Sequence, residues 1–192
     1  GESILSKPEK MFREWGLPKV PKWLETYHLT MLTLVWSALN ILWGYLADVQ
    51  SNLHWLWLVS LMIILQYITD VFDGAVGRAR DTGLVKWGYY MDHFLDYIFL
   101  SSLVVAGFLI APAGIHFWYM ILLIIIGSFM VSSFLAFSAT NEFQIYYFGF
   151  GPTEMRIVFI AINTVIIFTG TGHFKCSVPA VVGICFIGLV FN

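Results

Sequence analysis

The chain has 192 residues, 59% of them hydrophobic and only 11% charged, with a mean hydropathy of +0.79. That composition excludes an ordinary soluble domain and points to helices in a bilayer. A formal net charge of −2 leaves no basic excess for a nucleic-acid partner, and Cys176 and Cys185, nine residues apart in the last apolar run, read as small core residues, not as a disulfide or metal framework.

The chain opens on a juxtamembrane segment, residues 1–28, with no cleavable signal-peptide pattern. Within it, PEKMFREWGLPKVPKW sets Met11, Phe12 and Trp15 against Lys10, Arg13 and Glu14. This predicts a short amphipathic helix in the headgroup plane, broken at Pro18 and Pro21. Six apolar stretches follow at 29–47, 54–72, 89–111, 116–139, 153–170 and 176–191. Each approaches the roughly 20 residues that a spanning helix needs. Connections are short at 48–53 and 112–115 and longer at 73–88 and 140–152. The expected fold is therefore all-α and integral to the membrane, with six transmembrane helices paired as three antiparallel hairpins in one domain, residues 29–192.

Lys7, Lys10, Arg13, Lys19 and Lys22 precede the first stretch, and Arg78, Arg80 and Lys86 fill the second loop, whereas the first and third loops carry no Lys or Arg. Basic residues near span ends stay in the cytoplasm, so both termini and the second loop are expected there. Trp87, Tyr89 and Tyr90 mark an interface crossing before the third stretch.

The chemistry concentrates around that second loop. Asp70 and Asp73 are three apart at the end of one apolar stretch, while Gly88, Asp92 and Asp96 step by four along the start of the next. On helices, each set shares a face, and the loop joining the helices brings both sets to one depth. An isolated charge deep in a span costs about 2.5–3.5 kcal/mol, so four uncompensated aspartates would cost about 10 kcal/mol. Arginines alone do not explain four facing carboxylates, because like charges repel. All-oxygen ligands favour a hard divalent cation, Mg²⁺ or Mn²⁺, over zinc. A pair of such ions about 3.5–4 Å apart suits in-line displacement at phosphorus. Gly74, Gly77 and Gly83 permit close backbone approach to a ligand, and Arg78 and Arg80 suit phosphate. Together these residues suggest a diphosphate substrate attached to a lipid.

The stretch Asp70-Val-Phe-Asp73-Gly74-Ala-Val-Gly77-Arg78, followed after nine residues by Gly88-Tyr-Tyr-Met-Asp92-His-Phe-Leu-Asp96, resembles the signature of the CDP-alcohol phosphotransferase family. That signature reads D-x-x-D-G-x-x-A-R, about eight residues, then G-x-x-x-D-x-x-x-D. Gly77 stands in place of its alanine, and the interval to Gly88 is one residue longer. The extra residue lets Ala79-Arg80-Asp81-Thr82-Gly83 resemble the family's A-R-x-T-G, so either Arg78 or Arg80 fits the diphosphate-binding arginine; the fixed distance from Asp73 favours Arg78. The family's P-N before the first span is missing, and Thr30 alone stands at that edge.

The resemblance implies that Asp70, Asp73 and Asp92 hold the metals, with Asp96 beside them as metal ligand and general base. It also implies that Gly74, Arg78, Thr82 and Gly88 line the cytidine diphosphate site. An acceptor hydroxyl, deprotonated by Asp96, would attack the phosphorus nearest the lipid and release CMP. Arg156, in GFGPTEMRI, together with Lys86, Arg80 and His93, are the candidates for binding the acceptor. A homodimer is also implied. Asn40, Gln66 and Asn163 read as interhelical hydrogen-bond partners.

The leading function is transfer of a phosphatidyl group from CDP-diacylglycerol to a polar alcohol. One alternative reverses the pairing, with a CDP-linked choline- or ethanolamine-type headgroup reacting with diacylglycerol. A different class is a divalent-cation or proton transporter, since carboxylates in spans also mark ion pathways. Against transport, the aspartates gather at one membrane face beside arginines.

Overall fold

The computed structural model describes residues 5–140 and 152–190, and every regular element among them is helical. A short helix, α1 (Ser6–Gly16), leads through a turn containing Pro18 into α2 (Thr26–Val49). The start of α2 is a capping box: Glu25 accepts the His28 backbone N–H, and His28 Nδ1 accepts the Glu25 N–H at 3.1 Å. Then come α3 (Leu56–Ala79), α4 (Val85–Ile110), α5 (His116–Thr140), α6 (Pro152–Thr169) and α7 (Phe174–Val190).

Five helical segments among the described residues are long and apolar enough to cross a membrane, which makes the chain a multi-pass membrane protein. These are α2, α3 and α5 with their preceding 3-10 turns where present, α4 and α6. The sixth apolar stretch forms α7, a helix of 17 residues with Pro179 in its interior. Most of the loop expected at 140–152 lies outside the described residues, as do Gly149 to Gly151 of the GFGPTEMRI segment.

Two boundaries differ from expectation in a way that shapes the site. The helix expected to stop at residue 72 continues to Ala79, because Ala75 and Val76 are buried and packing sustains the helix beyond its lipid-compatible stretch. Val76 packs with Leu29 and Phe72. The connection to α4 is consequently residues 80–84 alone, turned by Asp81 and by Gly83 in the left-handed region, φ 49° and 70°. Asp70 and Asp73 thus stand within a helix and not at its end.

Two of the expected hairpins pack, α2 on α3 and α4 on α5, whereas α6 and α7 do not pair among the described residues, and contacts between helices distant in sequence are added. α2 lies between α3 and α4 and packs along both, whereas α3 and α4 touch each other only briefly. α6 packs on the outer side of α3, and α5 joins α4 to α7. The α2–α4 contact is close at Gly44, where a Cβ would lie 2.7 Å from Ala106 Cα. Deeper contacts use polar pairs: Asn40 Nδ2 donates to Ser102 Oγ and Asn163 Nδ2 to Ser60 Oγ, both at 3.1 Å.

α1 does not stand apart from the bundle. Phe12 packs against Phe72 and Tyr67 of α3, with ring centroids 5.4 and 6.2 Å away, and Gly16 abuts Phe72. Met11 and Trp15, on a different edge of the helix, are exposed. Phe12 and Trp15 stack on each other at 6.3 Å, so the apolar stripe of α1 is covered by α3 along one edge and exposed along the other.

Gly44→Ala should lower the apparent melting temperature in detergent, with an overpacking cost of about 1–3 kcal/mol. Gly114→Ala, whose added Cβ meets nothing within 4 Å, is the control. Equal melting of the two variants would contradict the close α2–α4 approach.

Candidate active site

The convergence of α3, α4 and α6 gathers the carboxylates. Asp70, Asp92 and Asp96 each offer an oxygen, and these oxygens lie within 4.8 Å of one another. Among them comes Arg156 from the first turns of α6. Its Nη2 donates to Asp70 Oδ2 at 2.7 Å and lies 4.0 Å from Asp96 Oδ1. Gln66, one turn before Asp70 on α3 and 1% exposed, ties the group together. It accepts from Arg156 Nε at 2.9 Å and donates to Asp96 Oδ1 at 3.1 Å.

Asp73 has a separate set of partners. Thr30 of α2 donates to its Oδ2 at 2.8 Å, Thr26 donates to its backbone carbonyl at 2.6 Å, and the Gly74 N–H donates to its Oδ1. Asp73 is thus fastened to the start of α2 while still lining the same cavity as Asp70 and Asp92.

That cavity has a volume of about 250 Å³. Gly74 and Arg78 line its α3 wall, and Thr153 and Arg156 its α6 wall. Arg78 lies back across Gly74, where a Cβ would sit 3.2 Å from its Nη1. The remaining wall belongs to α1, through Glu9 and Arg13. Glu9 Oε2 accepts from Thr153 Oγ1 at 2.7 Å, and the Leu5 N–H donates to buried Glu154 at 3.1 Å, so the start of α1 is clasped to the start of α6.

The two candidate arginines of the turn have different surroundings. Arg80 reaches toward the α1–α2 linker, where its guanidinium donates to the carbonyls of Val20, Pro21, Lys22 and Leu24 and pairs with Glu25 at 3.4 Å. Arg78 lines the cavity. Arg80 is thus committed to the linker and does not line the cavity. His93 does not line the cavity either: its Nδ1 lies 2.7 Å from the Tyr89 carbonyl oxygen and 3.7 Å from Asp92 Oδ2, and its ring packs on Tyr89 and Phe134. Lys86 is exposed. Thr82 lies in the turn between α3 and α4, its hydroxyl 3.5 Å from the Gly77 carbonyl, and Gly88 has open space at its Cα. Neither lines the cavity.

Glu9 and Arg13 were not visible as site residues in the sequence, because their i, i+4 spacing says only that they share a face. Gln66 carried a signal, a polar side chain four residues before Asp70 in an apolar run, but not its link to Asp96.

A family model described as CDP-alcohol phosphatidyltransferase matches residues 20–190, and the chain belongs to this family. No curated protein and no solved structure matches it. Membership makes the protein a membrane transferase of CDP-alcohol chemistry. The all-oxygen donor set of Asp70, Asp92 and Asp96 fits a hard divalent cation, as the chemistry of this family calls for.

Two measurements check this geometry. Mn²⁺ binding followed by electron paramagnetic resonance should weaken at least tenfold in Asp92→Asn and stay unchanged in Asp81→Asn; equal affinities would remove the cation from this cluster. Arg80→Ala should accelerate tryptic cleavage after Lys19 and Lys22, since it removes the hydrogen bonds that hold the linker. An unchanged digestion rate would contradict the clamp.

Proposed function

We propose that the protein transfers a phosphatidyl group from CDP-diacylglycerol to the hydroxyl of a polar alcohol and releases CMP. The observation that carries this reading is the meeting of Asp70, Asp92 and Asp96 in a chain of this family, beside a cavity that also presents Arg78. Transport is disfavoured by the family's transferase chemistry and by carboxylates gathered at one end of the bundle.

Gln66 orients Asp96 by holding Oδ1, and Oδ2 makes no hydrogen bond among the described residues. That oxygen is the base: it takes the proton of the acceptor hydroxyl as the hydroxyl oxygen bonds to the phosphorus nearest the lipid. The phosphorus–oxygen bond to CMP breaks, and CMP departs with the electron pair. Arg78, over Gly74, balances charge on the nucleotide diphosphate, and Arg156, oriented by Gln66, contacts the acceptor. Mg²⁺ or Mn²⁺, as a pair held by Asp70, Asp92 and Asp96 with Asp73 alongside, supplies charge neutralisation at the diphosphate when bound.

An apolar groove of about 340 Å³ between α2 and α4 supports a lipid substrate. It begins at Leu34 and Ile98, one turn or less beyond Thr30 and Asp96, and continues past Ile41 and Val105. In this reading α7 is the sixth crossing, residues 29–192 form the catalytic membrane domain, and residues 1–28 lie along its cytoplasmic face. The active site and both termini are cytoplasmic, and the enzyme is a homodimer.

The test is CMP release by purified protein in lipid with Mn²⁺ or Mg²⁺, CDP-diacylglycerol and a panel of alcohols. Asp96→Asn should lower turnover at least a hundredfold while sparing nucleotide binding. No CMP with any acceptor, including diacylglycerol offered with CDP-choline, would sink the phosphotransferase reading, and normal turnover by Asp96→Asn would remove its role as base.

A further inference from the structure

We propose that Arg13, on α1, binds a phosphate group of the substrate and so makes the N-terminal helix part of the binding site. The inference rests on the phosphotransferase reading but concerns residues outside the family match, which begins at residue 20, whereas α1 ends at Gly16.

Three observations support a phosphate ligand at Arg13. First, it lines the cavity that Asp70, Asp92 and Arg78 line, brought there by two anchors of α1: Phe12 on Phe72 and Glu9 on Thr153. Second, the face of α1 that carries it is the inward one. Glu9, one turn earlier, is hydrogen-bonded to α6, whereas Lys10 and Glu14 pair with each other at 4.0 Å on the exposed side. Third, the Arg13 guanidinium has no hydrogen bond or ion pair among the described residues, although Glu9 stands four residues away.

Arg78 is the second guanidinium of this cavity without such a partner, whereas Arg156 is already engaged by Asp70 and Gln66. Two unengaged, fork-shaped, permanently charged groups facing one cavity match the oxygens of a phosphate or diphosphate. Arg80 shows the contrast. It lies two residues after Arg78, but backbone carbonyls take up both of its terminal nitrogens.

The phosphate has two sources, the nucleotide diphosphate of the donor and a phosphate carried by the acceptor alcohol. In both cases Arg13 supplies charge-assisted hydrogen bonds to oxygens that do not react. It is a binding residue, and the transfer chemistry does not pass through it.

The experiment is calorimetric titration of the full chain in lipid nanodiscs with pyrophosphate, with glycerol 3-phosphate and with glycerol, for wild type, Arg13→Gln and Arg13→Lys. Arg13→Gln should weaken one phosphate-bearing probe about tenfold, the scale of one lost charge-assisted hydrogen bond. Arg13→Lys should recover part of that loss. A loss confined to pyrophosphate assigns Arg13 to the donor, and a loss confined to glycerol 3-phosphate assigns it to the acceptor. Unchanged affinities for both, or a loss with no recovery in Arg13→Lys, overturn the proposal. Because the readout is binding, its failure is distinguishable from that of the transferase reading, which rests on CMP release. Melting curves of the variants exclude unfolding as the cause, and Met11→Gln, on the exposed edge of α1, should bind all probes as wild type does.

Discussion

Three carboxylates meeting in an apolar bundle constitute the electrostatic problem around which this end of the protein is built. Unit charges about 4 Å apart repel by about 4 kcal/mol at an effective dielectric of about 20. The oxygens of Asp70, Asp92 and Asp96 lie within 4.8 Å of one another, so they need cations close by. Arg156 supplies one, at 2.7 Å from Asp70, and Gln66 fixes that guanidinium and Asp96 with one side chain. A single guanidinium among three carboxylates leaves the cluster negative, which is the condition for attracting divalent cations and, with them, an anionic substrate.

Helix packing follows from the same requirement. By lying between α3 and α4, α2 holds them apart over most of their length and leaves the carboxylates to meet near the short turn. Thr26 and Thr30 fasten α2 to Asp73, so one aspartate of the motif takes its partners from positions 47 and 43 residues earlier in the chain. Gly44 permits the close approach to Ala106 on the far side of the same helix. These polar and steric contacts matter because, between helices in lipid, apolar burial gives little preference for one neighbour over another.

The two arginines of the turn show how local geometry divides similar residues. Arg78 continues the helical face of Asp70 and Gly74 at i, i+4 spacing and so reaches the cavity. Arg80 follows two residues later, where the helix has ended, and its side chain gathers the carbonyls of a linker rich in proline. Proline lacks a backbone donor, and the Pro-containing linker is not part of a helix, so an external donor there replaces missing backbone hydrogen bonds.

By itself, the sequence determined the membrane character, the number of apolar stretches and the aspartate motif with its glycines and arginines. These are properties of composition and of spacing along one helix, which periodicity preserves whatever the packing. Only the tertiary structure decided that α2 separates its neighbours, that Gln66 and Arg156 join the carboxylates, that Arg78 and Arg80 part company, and that α1 closes one wall of the cavity with Glu9 and Arg13. Each depends on which helices meet, and between apolar helices in a bilayer that is settled by a few polar partners and close approaches scattered far apart in the chain.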